Sequence, residues 1–172
     1  MAKARIAVLG LVTASLGCVP LAARHTDEVI EAGGNVPLLP DGRPGPEPCP
    51  KEALAFMEGA ELRAGDTATV EVDANQFERE PLTLNTGPIE SIMLEPMGNL
   101  GGTTRLFGRV WTSGPRVVIR YYWAQRPGGK RVPICAVARK GAGQLEGKPG
   151  RFPGSAEIPY SNALAFIVES FL

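Results

Sequence analysis

The chain has 172 residues, 44% of them apolar and 21% charged, which is too apolar for wholesale disorder and leaves room for one domain plus a targeting or linker segment. Eighteen basic and eighteen acidic residues cancel, so total charge gives no case for nucleic acid or an anionic surface. Twenty-one glycines and sixteen prolines favour turns and short strands over long helices, and the single histidine, His25, severely limits catalysis.

The N-terminus opens with Lys3 and Arg5, then an apolar run from Ile6 to Gly17, then Cys18. A charged start followed by about a dozen apolar residues has the length of a signal peptide and falls short of a membrane span. Ala14-Ser15-Leu16-Gly17-Cys18 resembles the lipobox of bacterial lipoproteins, departing from its strict form at Ser15, three residues before the cysteine. The resemblance implies cleavage before Cys18, acylation of that residue and a location in the cell envelope, exposed outside the cytoplasm at the outer membrane or periplasmic face. The competing readings are an ordinary signal peptide with Cys18 incidental, or a buried N-terminal helix.

Ten prolines and glycines between Pro20 and Pro48 read as a tether over 18–48, with at most a helical turn near Asp27–Ala32. His25 lies within it and reads as solvated. The domain is expected over 49–172. Pro50 suits the start of a helix, Ala53, Phe56, Met57 and Ala60 follow at helical spacing, and Gly59 can end it.

Beyond Leu62 the period becomes two. Val70 and Val72 alternate with Thr69, Glu71 and Asp73 as a strand with one wet face. "PLTLN" and "SIMLEPM" predict weaker strands; Thr104–Thr112, Arg116–Gln125 and Lys130–Arg139 predict stronger ones, the last two joined through Pro127-Gly128-Gly129. "LEGKPGRFPGSAEIP" reads as a loop, and Asn162–Phe171 as a closing strand. The expected fold is mainly β: a single antiparallel β-sandwich or small barrel of about six or seven strands with one short N-terminal helix. The body resembles small secreted bacterial lipoproteins of unassigned function in "GRVW", "VPICAVA" and the closing strand, a resemblance that implies no activity.

Charge is separated along the chain. Residues 47–95 carry eleven acids against Lys51, Arg63 and Arg79, a balance of −8. Between Glu95 and Glu146 there is no acid and nine bases, a balance of +9. Alternation places Arg105, Phe107, Arg109 and Trp111 on one side of a strand. In the next strand it opposes Arg116, Arg120 and Tyr122 to Ile119, Tyr121 and Trp123. Acidic and basic strands can pair across the sheet, with Glu71 and Asp73 as partners, each pair contributing a few tenths of a kcal/mol. Alternatively Arg105, Phe107, Arg109, Trp111, Arg116, Arg120, Tyr122 and Arg131 form a platform for an anionic polymer, because guanidinium forks bind anions and aromatic faces stack on rings. Pairing is the simpler arrangement, since the neutralising charge lies in the same domain. Nucleic acid is the weakest polyanion for a surface-anchored protein.

With Cys18 assigned to lipid, Cys49 and Cys135 remain as an even pair in an oxidising compartment. A bond between them would close a loop spanning most of the domain, worth on the order of 4 kcal/mol; the alternative is two buried thiols. No histidine base lies near a nucleophile, no G-x-S-x-G or P-loop occurs, the landmarks of protein kinases are missing, and no spacing supports zinc. No pair stands out for glycoside cleavage among Glu71, Asp73, Glu78, Glu80, Glu90 and Glu95. The expectation is a non-catalytic, cofactor-free interaction module. It would meet the membrane through its lipid, and a protein partner or an anionic polysaccharide through its surface.

Overall fold

The computed structural model describes residues 35–77 and 79–172. Cys18, His25, the signal segment, most of the tether and Glu78 lie outside the described residues. Eleven strands and one helix are described: β1 (Glu47–Pro48), α1 (Lys51–Gly59), β2 (Thr67–Glu71), β3 (Leu82–Asn85), β4 (Gly87–Met93), β5 (Arg105–Trp111), β6 (Val118–Gln125), β7 (Arg131–Arg139), β8 (Lys148–Pro149), β9 (Ser155–Ile158), β10 (Asn162–Ile167) and β11 (Ser170–Phe171).

Six of the strands close an antiparallel barrel in the order β10-β2-β4-β5-β6-β7. Closure leaves these strands no free edge, one of the ways antiparallel sheets avoid exposing unpaired backbone. Register defines the inner face. Ala163 and Ala165 oppose Val70 and Ala68, Ser91 opposes Leu106, and Val110 opposes Ile119, all of them buried. The many alanines suit the tight interior of a small barrel, which side chains must fill. The interior's polar groups are satisfied locally: the Ser91 hydroxyl donates to the Val72 carbonyl at 2.5 Å and lies 2.8 Å from the Tyr121 hydroxyl.

The β6–β7 hairpin turns where expected. Gly128 adopts φ +68°, and the Gly129 amide donates to the Arg126 carbonyl. Alternation along β6 fails beyond Tyr121, because the register shifts there against both neighbours. The bulge puts Trp123 opposite Phe107 on the outer face, not beside Tyr121 within the barrel. Gly108 makes this close approach possible, since a Cβ at that position would collide with the Arg120 carbonyl.

The helix forms over the expected residues, with Pro50 preceding it and Ala53, Met57 and Ala60 buried. It packs on β7. The Cys49–Cys135 disulfide joins its entry to that strand (Cα–Cα 6.1 Å, 86 residues apart in sequence), and the Cys135 amide donates to Met57 Sδ.

Two segments differ from expectation. The loop 145–159 contains β8 and β9, which with β3 form a second sheet in the order β3-β9-β8. Leu82, Leu84, Leu145, Ala156 and Ile158 from this region join the core. Its strands are too short, and its Pro/Gly content too high, to show a period. The closing strand ends at Ile167, and β11 departs to pair with β1. Ordered structure therefore begins upstream of Cys49. Leu38 bridges Pro44 around a turn at Gly42, whose φ of +83° suits glycine, and Pro44 and Gly45 are buried.

Candidate functional site

The basic-aromatic face predicted from alternation exists as the outer face of β5 and β6, and the domain covers the part of it around Trp111, Arg120 and Tyr122. Segment 44–48 and β11 lie across it, so residues 118–122 of β6 are buried on both sides. Arg120 is 1% exposed. Its guanidinium donates to the carbonyls of Gly45 (2.9 Å) and Pro44 (3.4 Å) and pairs with Glu47 at 3.4 Å. The rings of Trp111 and Phe171 lie 5.5 and 5.0 Å from its centre. Tyr122 donates to the same Glu47 carboxylate at 2.8 Å, and burial, then that hydrogen bond, push its phenol well above the ordinary tyrosine range. Arg120, Tyr122 and Trp111 are thus bound to the domain itself and do not form an open platform.

The other predicted residues divide. Arg105 is exposed and paired with Glu90 across β4–β5. The Arg131 guanidinium sits 3.8 Å from the ring centre of Phe107, which is buried. Arg109 is half-buried, and its Nε has no hydrogen-bond partner among the described residues. Arg116 is exposed and paired with Glu146. Charge pairing between the acidic and basic segments is therefore present at Glu90 and Glu47, and Arg116 pairs with Glu146, which lies outside the acidic segment. Asp73, one of the two expected partners, instead accepts from Asn75 and Gln76.

Arg116 leads to a second region. It lines a hollow of about 570 Å³ with Lys140, Gln144, Glu146 and Tyr160. The Lys140 ammonium donates to the Asn162 carbonyl at 3.0 Å and lies 4.4 Å from the Tyr160 ring centre. The Tyr160 hydroxyl accepts from the Glu146 amide at 3.0 Å, and burial raises its pKa. On its other side Arg116 borders a groove of about 500 Å³ between residues 112–117 and 147–156. Lys148 and Arg151 line this groove, and among the described residues no acidic side chain does.

Loop 150–155 holds its shape through a tight hydrogen-bonded turn. The Ser155 hydroxyl donates to the Phe152 carbonyl at 2.6 Å and accepts from the Phe152 amide at 3.1 Å, while the Gly150 amide donates to the Ser155 carbonyl. Phe152 is left 64% exposed at the tip. Lys140, Lys148, Arg151, Phe152 and Tyr160 were not singled out by alternation, which has no purchase on turns. The available signal was "GKPGRFPGS" itself, two cations and an aromatic residue spaced by Pro and Gly.

Among the described residues no group of three or more His, Cys, Asp or Glu could hold a metal, and no helix is long and apolar enough to cross a membrane. Comparison with protein-family models, curated proteins and solved structures gave no match.

Proposed function

We propose that this protein is a lipid-anchored, non-catalytic domain of the cell envelope that works as an interaction module, held outside the cytoplasm by an acylated Cys18. The observation that carries the reading is the use of the domain's reactive side chains as structural partners. Ser91 and Tyr121 satisfy each other inside the barrel, and Arg120, Glu47 and Tyr122 fasten segment 44–48 over its outer face. A filled, closed barrel is a rigid support, and recognition on such a scaffold falls to its loops. The disulfide supports an oxidising location, because such bonds persist mainly outside the reducing cytosol.

The location is tested by expressing the full chain in a bacterial host and measuring the mass of the mature N-terminus. A Cys18 carrying diacylglyceryl and N-acyl groups is expected. An unmodified chain starting at another residue overturns the anchor.

A further inference from the structure

We propose that the joined hollows around Arg116 bind an acidic saccharide, with a carboxylate on the Arg116 guanidinium and further anionic groups on Lys140, Lys148 and Arg151. The inference rests on the interaction-module reading and names the ligand class of its loop surface.

The charge is uncompensated locally. Elsewhere in this basic half Arg105 is paired with Glu90 and Arg120 with Glu47, and the Arg131 and Arg139 guanidinium groups lie over the Phe107 and Phe166 rings. Around Arg116 the two hollows bring together, among the described residues, four cations and one acid, Glu146. Lys140, Lys148 and Arg151 form no ion pair among the described residues. Glu157 stands opposite Lys148 in the β8–β9 register without pairing to it.

The one ion pair present is exchangeable. The Arg116 and Glu146 side chains are 45% and 74% exposed, and solvated pairs of that kind are worth about 0–1 kcal/mol. Displacing Glu146 from the guanidinium therefore costs little, and a ligand carboxylate can take its place in the fork while its further anionic groups meet the neighbouring cations.

The site is also preset. The Asn162 carbonyl and Tyr160 ring fix Lys140, and the turn at Ser155 fixes the loop carrying Lys148, Arg151 and Phe152, so ordering on binding costs little. A saccharide fits the remaining surface better than a nucleic acid. The groove offers the Ser113 hydroxyl, backbone groups of a Gly-rich loop and one exposed aromatic ring, Phe152. A strand of bases wants successive stacking platforms.

The test uses the full chain in detergent micelles and a defined uronic-acid tetrasaccharide as probe, with binding followed by calorimetry. Comparison ligands are a neutral tetrasaccharide of the same length, inorganic phosphate and a single-stranded oligonucleotide. Saturable, salt-sensitive binding of the uronate alone is expected, weakened about three- to fivefold in Arg116→Gln and in the double variant Lys148→Gln/Arg151→Gln. Arg105→Gln, which removes an exposed charge elsewhere, should leave affinity unchanged. Phe152→Ala should weaken binding while preserving its salt dependence. Near-native circular dichroism and unfolding midpoints in the variants show that they fold.

No binding of the uronate, equal binding of the neutral sugar, or equal loss in Arg105→Gln each overturns the proposal. Preferential binding of the oligonucleotide replaces the saccharide with a nucleic acid, and preferential binding of phosphate reduces the site to a small-anion pocket. The N-terminal mass reports separately on the anchored-module reading, so either can fail while the other stands.

Discussion

The Arg120 clasp gives the sharpest test of how this domain is held together. In Arg120→Met a flexible apolar chain replaces a guanidinium that is 1% exposed. The Gly45 and Pro44 carbonyls, now accepting at 2.9 and 3.4 Å, lose their donor, and a buried acceptor left unpaired costs about 1–3 kcal/mol. Glu47 loses its cation but keeps the Tyr122 hydroxyl, and with 27% of its side chain exposed it recovers part of its hydration. Removing the buried cation also returns some desolvation energy. The net expectation is destabilisation by about 2–4 kcal/mol, close to 10 °C in Tm for a domain of this size. Glu47→Gln should cost less, about 1–2 kcal/mol, since a neutral acceptor survives for both partners. The double variant should fall short of the sum by about 1 kcal/mol, because the carboxylate is then no longer left without its cation. Urea unfolding measures all three, and amide exchange should rise selectively over residues 39–48 in Arg120→Met. An Arg120→Met midpoint within about 0.5 kcal/mol of the parent, with those amides still protected, would refute the claim that this arginine secures the segment.

Other consequences follow from single features. Gly108→Ala should destabilise by about 1–3 kcal/mol in denaturant unfolding, because the added Cβ meets the Arg120 carbonyl and backbone must shift. Reduction of Cys49–Cys135, or Cys135→Ser, should cost about 2–5 kcal/mol, and non-reducing peptide mapping should recover the two cysteines as one linked pair. All three tyrosines have raised pKa values, principally through burial. Absorbance titration of the native protein should therefore place every phenol above 10.0 and return them to near that value on unfolding. Since the folded pKa is the higher one, the stabilisation is complete below pH 10 and is lost as pH climbs through the folded values. Glu95 is held below the usual carboxylate range by the Thr69 hydroxyl and amide, so Thr69→Val should raise its pKa in a carboxyl NMR titration. That depressed value contributes stability above the unfolded pKa, lost as pH falls through the folded one.

Much of the architecture was legible because short-range pattern and tertiary role coincide. Ala53, Met57 and Ala60 mark the helix face that meets β7, and Pro127-Gly128-Gly129 marks the hairpin. The strands β5, β6 and β7 fall where alternation and turn residues put them. The bulge at Tyr122–Trp123 was not legible, since an extra residue in one strand shows only against the register of its neighbours. The strands β8 and β9 hide in a Pro/Gly run whose burial depends on Leu82 and Leu84, more than sixty residues upstream.

The candidate site shows the same division. Sequence by itself determined a mainly β domain, the separation of acidic from basic segments and the alignment of Arg109 with Trp111, and of Arg120 with Tyr122, on one side of their strands, because each follows from composition or from a period of two. Only the tertiary structure decided which of those residues meet solvent. Segment 44–48 and β11 come from opposite ends of the domain, and their pairing buries Arg120 while Arg116, four residues earlier, stays at the surface beside Lys140 and the 147–156 loop. Alternation fixes the side of a sheet on which a side chain stands. What lies over that side depends on contacts between residues remote in sequence, which no local pattern encodes.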